Sequence, residues 1–209
     1  NDFEDITLSN DAGICGAVAT WTEPTATDNC GLASLTGTHA SGATFAVGTT
    51  TVTYTALDIH GNTATSSITV TVTDDEDPSI TGTPANISLN NDAGNCTAVA
   101  SWTAPTAADN CGIASFTSDY NSGAAFPVGT TTVTYTATDI YSNTTTSTFT
   151  VTVTDNLQSS CCGMPRDISS IPDRRSSAVV ANWTAPTAAD NCGIATFTSD
   201  YNSGAAFPV

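Results

Sequence analysis

An all-β chain of tandem immunoglobulin-like β-sandwiches is what this sequence predicts, on three observations. Trp21, Trp102 and Trp183 recur at a fixed interval of 81 residues. Threonine alternates with apolar β-branched and aromatic residues over long runs, and no segment shows a convincing helical period. A fixed long period marks an array of like modules, and period-two alternation marks half-buried strands.

The repeat sets the domain plan. The block Trp102-Thr-Ala-Pro-Thr-Ala-Ala-Asp-Asn-Cys-Gly returns unchanged at Trp183, with a close relative at Trp21, and 102–128 differs from 183–209 only at Ser115 against Thr196. Modules are therefore expected at 1–80 and 81–159, with the N-terminal half of a third at 160–209. The third copy stops where the second continues Gly129-Thr-Thr-Thr-Val-Thr-Tyr, so the chain reads as a fragment of a longer array. Modules this small have thin cores, and a staple is expected.

Within copy two the elements follow in order. Asn86-Ile-Ser-Leu supplies a first strand, and Ala98-Val-Ala-Ser-Trp-Thr and Ile113-Ala-Ser-Phe-Thr two more, with Pro105, Asp109, Asn110 and Gly112 in the loop between. Thr131-Thr-Val-Thr-Tyr-Thr-Ala-Thr-Asp then places Val133, Tyr135 and Ala137 on one face, and Thr148-Phe-Thr-Val-Thr-Val-Thr does the same with Phe149, Val151 and Val153. The intervening Asp139-Ile-Tyr-Ser-Asn, and Asp58-Ile-His-Gly-Asn in copy one, is a turn signal that makes the pair a hairpin. About seven short strands around one Trp suit an immunoglobulin-like sandwich in which the Trp anchors the core.

Composition excludes whole classes of function. The formal net charge is −17, and there is no lysine. The three arginines, Arg166, Arg174 and Arg175, cluster at the start of copy three. A polyanion would be repelled, so nucleic acid is excluded as a partner. The missing lysine also excludes Lys–Asn isopeptide crosslinks. Threonine forms roughly a fifth of a chain of ordinary apolar content, which fits a soluble β-protein and not a disordered tail. There is no long apolar run and no signal peptide, hence no expected membrane span.

Cys15 and Cys30 stand in copy one as Cys96 and Cys111 stand in copy two, one before the Trp and one after the Asp-Asn. The simplest expectation is one disulfide inside each module, stabilising by about 3 kcal/mol. Zinc, the competing reading, needs four ligands and finds no Cys-x-x-Cys or His partner. Disulfides imply an oxidising, extracellular setting. Copy three departs: Ser177 replaces its first cysteine, so Cys192 is expected to pair with Cys161 or Cys162. The stretch 159–177 matches the other copies poorly, although Pro165-Arg-Asp-Ile aligns with Pro84-Ala-Asn-Ile.

Three joined motifs carry a family resemblance. They are Trp-Thr-x-Pro-Thr-Ala-x-Asp-Asn-Cys-Gly, Phe-Pro-Val-Gly-Thr-Thr-Thr-Val-Thr-Tyr-Thr-Ala-x-Asp and Val-Thr-Val-Thr-Asp. Together they resemble the HYR (hyalin repeat) module over both complete copies and the half copy. Copy one departs with Ala46 for Pro127, and copy two with Ser142 for Gly61. The resemblance implies an immunoglobulin-like domain of extracellular proteins, associated with adhesion and found in long tandem arrays.

No constellation suits catalysis. The only histidines, His39 and His60, are matched by Tyr120 and Tyr141 in the next copy. Asp28, Asp109 and Asp190, each followed by Asn, Cys and Gly, suit an Asx-type loop better than acid–base work. Calcium is the live alternative. Asp74, Asp75, Glu76 and Asp77 lie between modules one and two, with Asp58 and Asn62 as further ligands from a module end. At the second junction the run is Asp155-Asn-Leu-Gln-Ser, which suits an ion less well. Asn86, Asn95, Asn143 and Asn182 head glycosylation sequons, and the Thr-rich strand faces offer O-linked acceptors.

The function expected is that of a non-enzymatic extracellular stalk or fibre with an adhesive role. It would stand at the cell surface or on a surface appendage. Its partners would be copies of itself or further repeats, with strand completion between chains as one route of assembly. The alternative is a calcium-dependent receptor for a glycan or a cell-surface protein, through loops such as Thr36-Gly-Thr-His-Ala-Ser and Thr117-Ser-Asp-Tyr-Asn-Ser.

Overall fold

The computed structural model describes residues 4–163 and 178–208. The arginines, Ser177 and the 165–168 alignment lie outside the described residues. Spatial contacts divide the chain into two units. The first is Asn1–Pro84, Ala104–Tyr120 and Thr134–Thr148; the second is Ala85–Thr103, Asn121–Val133 and Phe149–Val209. Each unit thus contains one junction between successive repeats.

In the first unit, module one is built from six strands: β1 (Ile6–Ser9), β2 (Gly16–Val18), β3 (Leu32–Gly37), β4 (Thr44–Ala46), β5 (Gly48–Asp58) and β6 (Thr63–Thr73). The sheet order is β1-β6-β5-β3, and the pair β2-β4 forms a second layer. The hairpin β5–β6 is the frame, antiparallel from Gly48↔Val72 to Leu57↔Thr63. Its alternation is the predicted one. Val52, Tyr54, Ile68, Val70 and Val72 point inward and are buried, while the threonines between them face out or lie half-buried. Ala17, Ala19 and Phe45 close the core from the second layer. Each fully buried large apolar side chain contributes about 1.5–3 kcal/mol relative to exposure. The first strand pairs parallel to β6, with Ile6 opposite Val70.

Trp21 packs against this core as expected, although it remains half-buried at the margin. Its ring lies 5.9 Å from that of Phe45, and its Nε1 donates to the Tyr54 hydroxyl at 2.7 Å. The expected strand through each Trp is shorter than the apolar pattern suggests. A serine satisfies the backbone there instead: Trp21 N donates to Ser41 Oγ at 2.8 Å, and Ser41 Oγ donates back to Trp21 O at 2.7 Å. Trp102 with Ser122, and Trp183 with Ser203, repeat the amide bond at 2.8 and 2.9 Å.

The first unit continues with β7 (Ser79–Thr81), which pairs antiparallel with a strand of the next repeat; in sequence between them lie β8 (Ile87–Asn90) and β9 (Thr97–Val99) of the second unit. That partner is β10 (Thr106–Ala108), and β11 (Ile113–Ser118) follows it. In the second unit β9 pairs with β12 (Ala125–Pro127). The long hairpin of module two, β13 (Gly129–Asp139) and β14 (Thr144–Thr154), is cut by the unit boundary. Its sheet order, β11-β13-β14-β8, repeats that of module one. In the second unit β8 lies parallel on β14, and Trp102 sits edge-on to Phe149 with centroids 5.1 Å apart. Of module three, β15 (Ser160–Cys162) pairs with β17 (Thr187–Ala189), and β16 (Ala178–Val180) with β18 (Ala206–Pro208).

The hairpin turns show why an aspartate ends each β5-type strand. Asp139 Oδ1 accepts from Tyr141 N and Asn143 N at 2.8 and 2.9 Å, and Oδ2 accepts from Asn143 Nδ2 at 2.8 Å. The turn needs one left-handed residue, which is Gly61 (φ 90°) in module one but Ser142 (φ 79°) in module two. A side chain is strained there. Ser142→Gly is expected to raise stability by about 1 kcal/mol in chemical denaturation.

Candidate functional site: the bridged repeat junctions

The cysteines join repeats to one another. Cys15 bonds Cys111 and Cys96 bonds Cys192, each across 96 residues with Cα atoms 4.7 Å apart. Cys30, Cys161 and Cys162 are exposed free thiols. The expected pairings Cys15–Cys30 and Cys96–Cys111, and that of Cys192 with Cys161 or Cys162, are therefore corrected.

The physical reason lies in the sandwich. Cys15 follows β1, whose end pairs with Thr73 at the close of β6. Cys30 precedes β3, beside the Asp58 turn, where Ile59 N donates to Gly31 O at 3.1 Å. The strand β6 separates these two ends by about 33 Å at 3.3 Å per residue. A disulfide needs Cα atoms within about 7 Å. The far end of one module instead meets the near end of the next.

Each junction has a plug and a socket. The plug of module one is the loop from Asn10 to Cys15, closed by Asp11 N→Gly16 O at 2.7 Å and Val18 N→Asp11 Oδ2 at 3.0 Å. Module two repeats it with Asp92 N→Thr97 O at 2.7 Å and Val99 N→Asp92 Oδ2 at 3.2 Å. The socket is the Asp-Asn-Cys-Gly loop. Asp28, Asp109 and Asp190 form the expected Asx turns, accepting from the amides of Cys30, Cys111 and Cys192 at 2.7, 2.8 and 2.8 Å. The next residue grips the plug: Asn110 Nδ2 donates to Ile14 O at 3.1 Å, and Asn191 Nδ2 donates to Asn95 O at 2.7 Å.

At both junctions the socket gathers acid, with Asp155, Asp190 and Cys192 Sγ grouped at the second as Asp74, Asp109 and Cys111 Sγ are at the first. A carboxylate oxygen of Asp74, one of Asp109 and Cys111 Sγ lie within 4.8 Å of one another. Cys111 is in a cystine and offers no thiolate. Asp74 Oδ2, Asp109 Oδ2 and Asn110 Oδ1 are buried without hydrogen-bond partners. Asn143 Nδ2 donates to Asp74 O at 3.2 Å, and the charge of Asp139, only 1% exposed, acts on Asp74. At the second junction Ser159 Oγ donates to Asp190 Oδ2 at 3.2 Å. Its counterpart one repeat earlier is Pro78, which has no donor to give Asp109.

Electrostatics follow from this crowding. Burial pushes the Asp74 carboxyl above its ordinary range. The Glu76 amide opposes the shift, while the charges of Asp109, Asp139 and Glu76 reinforce it. Burial also disfavours charge on Asp139, but the bonds from Asn143, Tyr141 and Ser142 outweigh it and hold that carboxyl low. Because the folded pKa of Asp74 lies above the unfolded one, native Asp74 binds its proton more readily, and its ionisation near neutral pH opposes folding. Asp74→Asn is therefore expected to raise Tm at pH 7. The gain should shrink as pH falls through the raised pKa, in melting curves taken from pH 7 to 4.

Of the residues expected to hold calcium, only Asp74 belongs to the cluster by an unpaired oxygen. Asp58 and Asn62 bond each other at 2.7 Å, at the opposite end of β6 from Asp74. The turn that reaches Asp74 is their copy in module two, Asp139 and Asn143. Asp75 Oδ2 accepts from Ser9 Oγ and Glu76 Oε2 from Gly13 N, both at 2.7 Å, so these two hold the plug. Asp77 is exposed. The Asx turn expected at Asp109 accounts for its Oδ1 alone, and its Oδ2 and Asn110 Oδ1 are left without a partner at the junction.

Among the sequons, Asn86, Asn95 and Asn182 are exposed, whereas Asn143 commits its Nδ2 to Asp139 and Asp74 and is half-buried. His39 and His60 are exposed. No helix among the described residues is long and apolar enough to cross a membrane.

The HYR domain model matches 6–72 and 73–153. The chain belongs to the HYR domain family. HYR repeats are extracellular, adhesion-type modules and not an enzyme family. Hyalin of Strongylocentrotus purpuratus is 39% identical over 204 residues, which cover 94% of this chain and 17% of that protein. Hyalin of Lytechinus variegatus is 36% identical over 204 residues, covering 94% of this chain and 38% of that protein. The chain thus spans well under half the length of either relative. Among solved structures, protocadherin gammaB7 EC3-6 aligns with 17% identity and a TM-score of 0.31, over 72% of this chain and 46% of that one, a likeness too slight to build on.

Proposed function

We propose that this HYR chain is a load-bearing stretch of an extracellular stalk or fibre with an adhesive role. The observation that carries the reading is the overlap of the two cystine loops, Cys15 to Cys111 and Cys96 to Cys192. Tension applied to the ends passes from Cys15 to Cys111, back to Cys96 and on to Cys192. The shortest covalent path through the chain then holds only about 50 residues, or roughly 170 Å when extended, against ~700 Å for the reduced chain. Such a chain cannot lengthen far even when its sandwiches unfold, a property useful to a tether and idle in an enzyme. Single-molecule pulling between the termini tests this. Extension limited to the short path in oxidising buffer, and released by a thiol reductant, is expected; equal contour lengths in both buffers would contradict it. Strand completion of module three by another chain is a separate route of assembly, and a purely monomeric chain at high concentration would exclude it.

A second reading, calcium-dependent adhesion, is favoured by the unpaired buried oxygens of Asp74, Asp109 and Asn110. These are hard oxygen ligands of the kind calcium takes. They would hold the ion, which would neutralise the crowded carboxylates. Calcium is expected to raise the Tm of the wild-type chain over that in EDTA and to leave Asp74→Asn unmoved. Identical melting curves with calcium and with EDTA would remove this reading and leave the stalk intact.

A further inference from the structure

We infer that the loop Asp28-Asn29-Cys30-Gly31 is a preformed socket for the cysteine plug of a further HYR repeat, with Cys30 as the thiol that forms the cystine. The internal repeat supplies the occupant. In two copies of this loop, the cysteine bonds a plug of sequence Asn-Asp-Ala-Gly-x-Cys and the preceding asparagine grips a plug carbonyl. In the remaining copy, at module one, the Asx turn is already set, with Cys30 N and Gly31 N on Asp28 Oδ1 at 2.7 and 3.1 Å. Asp28, Asn29 and Cys30 are all exposed, whereas Asp109, Asn110, Cys111 and Asp190, Asn191, Cys192 are half-buried under their plugs. Asn29 Nδ2 rests on its own neighbour, Cys30 Sγ, at 3.4 Å. Asn191 Nδ2 makes the same contact with Cys192 Sγ at 3.3 Å while gripping its plug, so the uncovered loop holds the conformation of an occupied one.

Both plugs of this chain, at Cys15 and Cys96, are consumed by its own sockets. The partner is therefore a repeat other than these, carrying the same loop with a free thiol. Joining the two thiols releases two protons and two electrons. A small-molecule disulfide such as oxidised glutathione takes up the electrons and is reduced to two thiols.

The inference rests on reading the chain as an array of bridged repeats. Its test uses the 209-residue chain and a peptide of the plug sequence Leu-Asn-Asn-Asp-Ala-Gly-Asn-Cys-Thr-Ala-Val, activated at cysteine as the 2-thiopyridyl disulfide. The Cys30 thiolate attacks the peptide sulfur, the new S–S bond forms, and 2-thiopyridone leaves with the electron pair and a proton. The peptide is expected to label Cys30 about tenfold faster than the same peptide with its aspartate changed to alanine. That preference should vanish in Asn29→Ala, and Cys161 and Cys162 should show none. Equal rates for the two peptides at Cys30, or labelling spread evenly over the three thiols, would overturn the inference. A peptide map of the same sample separates the two failures, because loss of the array reading itself would show as absence of the Cys15–Cys111 cross-link.

Discussion

Replacing Cys15 and Cys96 by serine is expected to produce the largest loss of stability of any surface change in this chain. Each cystine closes a loop of 96 residues. The chain-entropy relation gives about 4–5 kcal/mol for such a loop, against about 3 kcal/mol for the short loop of an intramodule bridge. Modules with thin cores have little else in reserve. The loss should also be selective. With the plugs unbonded, the junctions are left to non-covalent contacts such as the Asn110 and Asn191 grips, the bonds of Asn143 to Asp74 and of Ser159 to Asp190, and the β7–β10 and β15–β17 pairs. Hydrogen exchange should therefore quicken first at the amides of Ile14, Cys111, Asn95 and Cys192, while Val52, Val70, Val133 and Val151 stay protected. Equal loss of protection in core and junction would mean that the cystines stabilise the sandwiches themselves.

Asp139→Ala is expected to cost about 3 kcal/mol, while the equivalent Asp58→Ala costs clearly less. Both aspartates make the same turn bonds from residues two and four positions on. They differ in surroundings. Asp139 is 1% exposed beside Asp74 of the preceding repeat, whereas the Asp58 turn meets water, which can replace lost bonds. Truncating Asp139 strands the amides of Tyr141 and Asn143 and the Asn143 side chain, and loosens the bond from Asn143 to Asp74 O. Urea denaturation of the two variants measures the difference. The acid limb carries the same signature. The folded pKa of Asp139 lies below its ordinary value of 3.8, so its contribution is present above that pH and is lost as pH falls through the folded value.

The fold was readable because it rests on local rules. The alternation over 131–137 and 148–154, the Asp-x-x-x-Asn turns and the Asp-Asn-Cys-Gly loops each need only a few neighbouring residues to settle their geometry. The Trp anchors were readable for the same reason, although no pattern announced the serine that satisfies each Trp backbone. The cystines were not readable by proximity. A repeat fixes where a cysteine sits in its module but says nothing about which module supplies its partner, and a separation of 15 residues looks shorter than one of 96.

One signal did point the right way. Pairing within modules orphans Cys192, because Ser177 stands where its partner should be, and it needs Cys161 or Cys162 as a substitute. Pairing between modules gives Cys192 the partner Cys96 and leaves Ser177 without consequence. The residues expected to hold calcium do not lie together for the same reason. Asp58 and Asp74 are close in sequence but lie at opposite ends of an eleven-residue strand, and only the next repeat brings a copy of the Asp58 turn to Asp74.

The most direct measurement is a disulfide map of the oxidised chain after its free thiols are blocked. With no Lys or Arg before Arg166, cleavage on the N-terminal side of aspartate is the practical choice. Bridged repeats predict 11–27 joined to 109–118, and 92–108 joined to 190–199, with Cys30, Cys161 and Cys162 carrying the blocking group. Recovery of 11–27 joined to 28–57, and of 92–108 joined to 109–118, would contradict it.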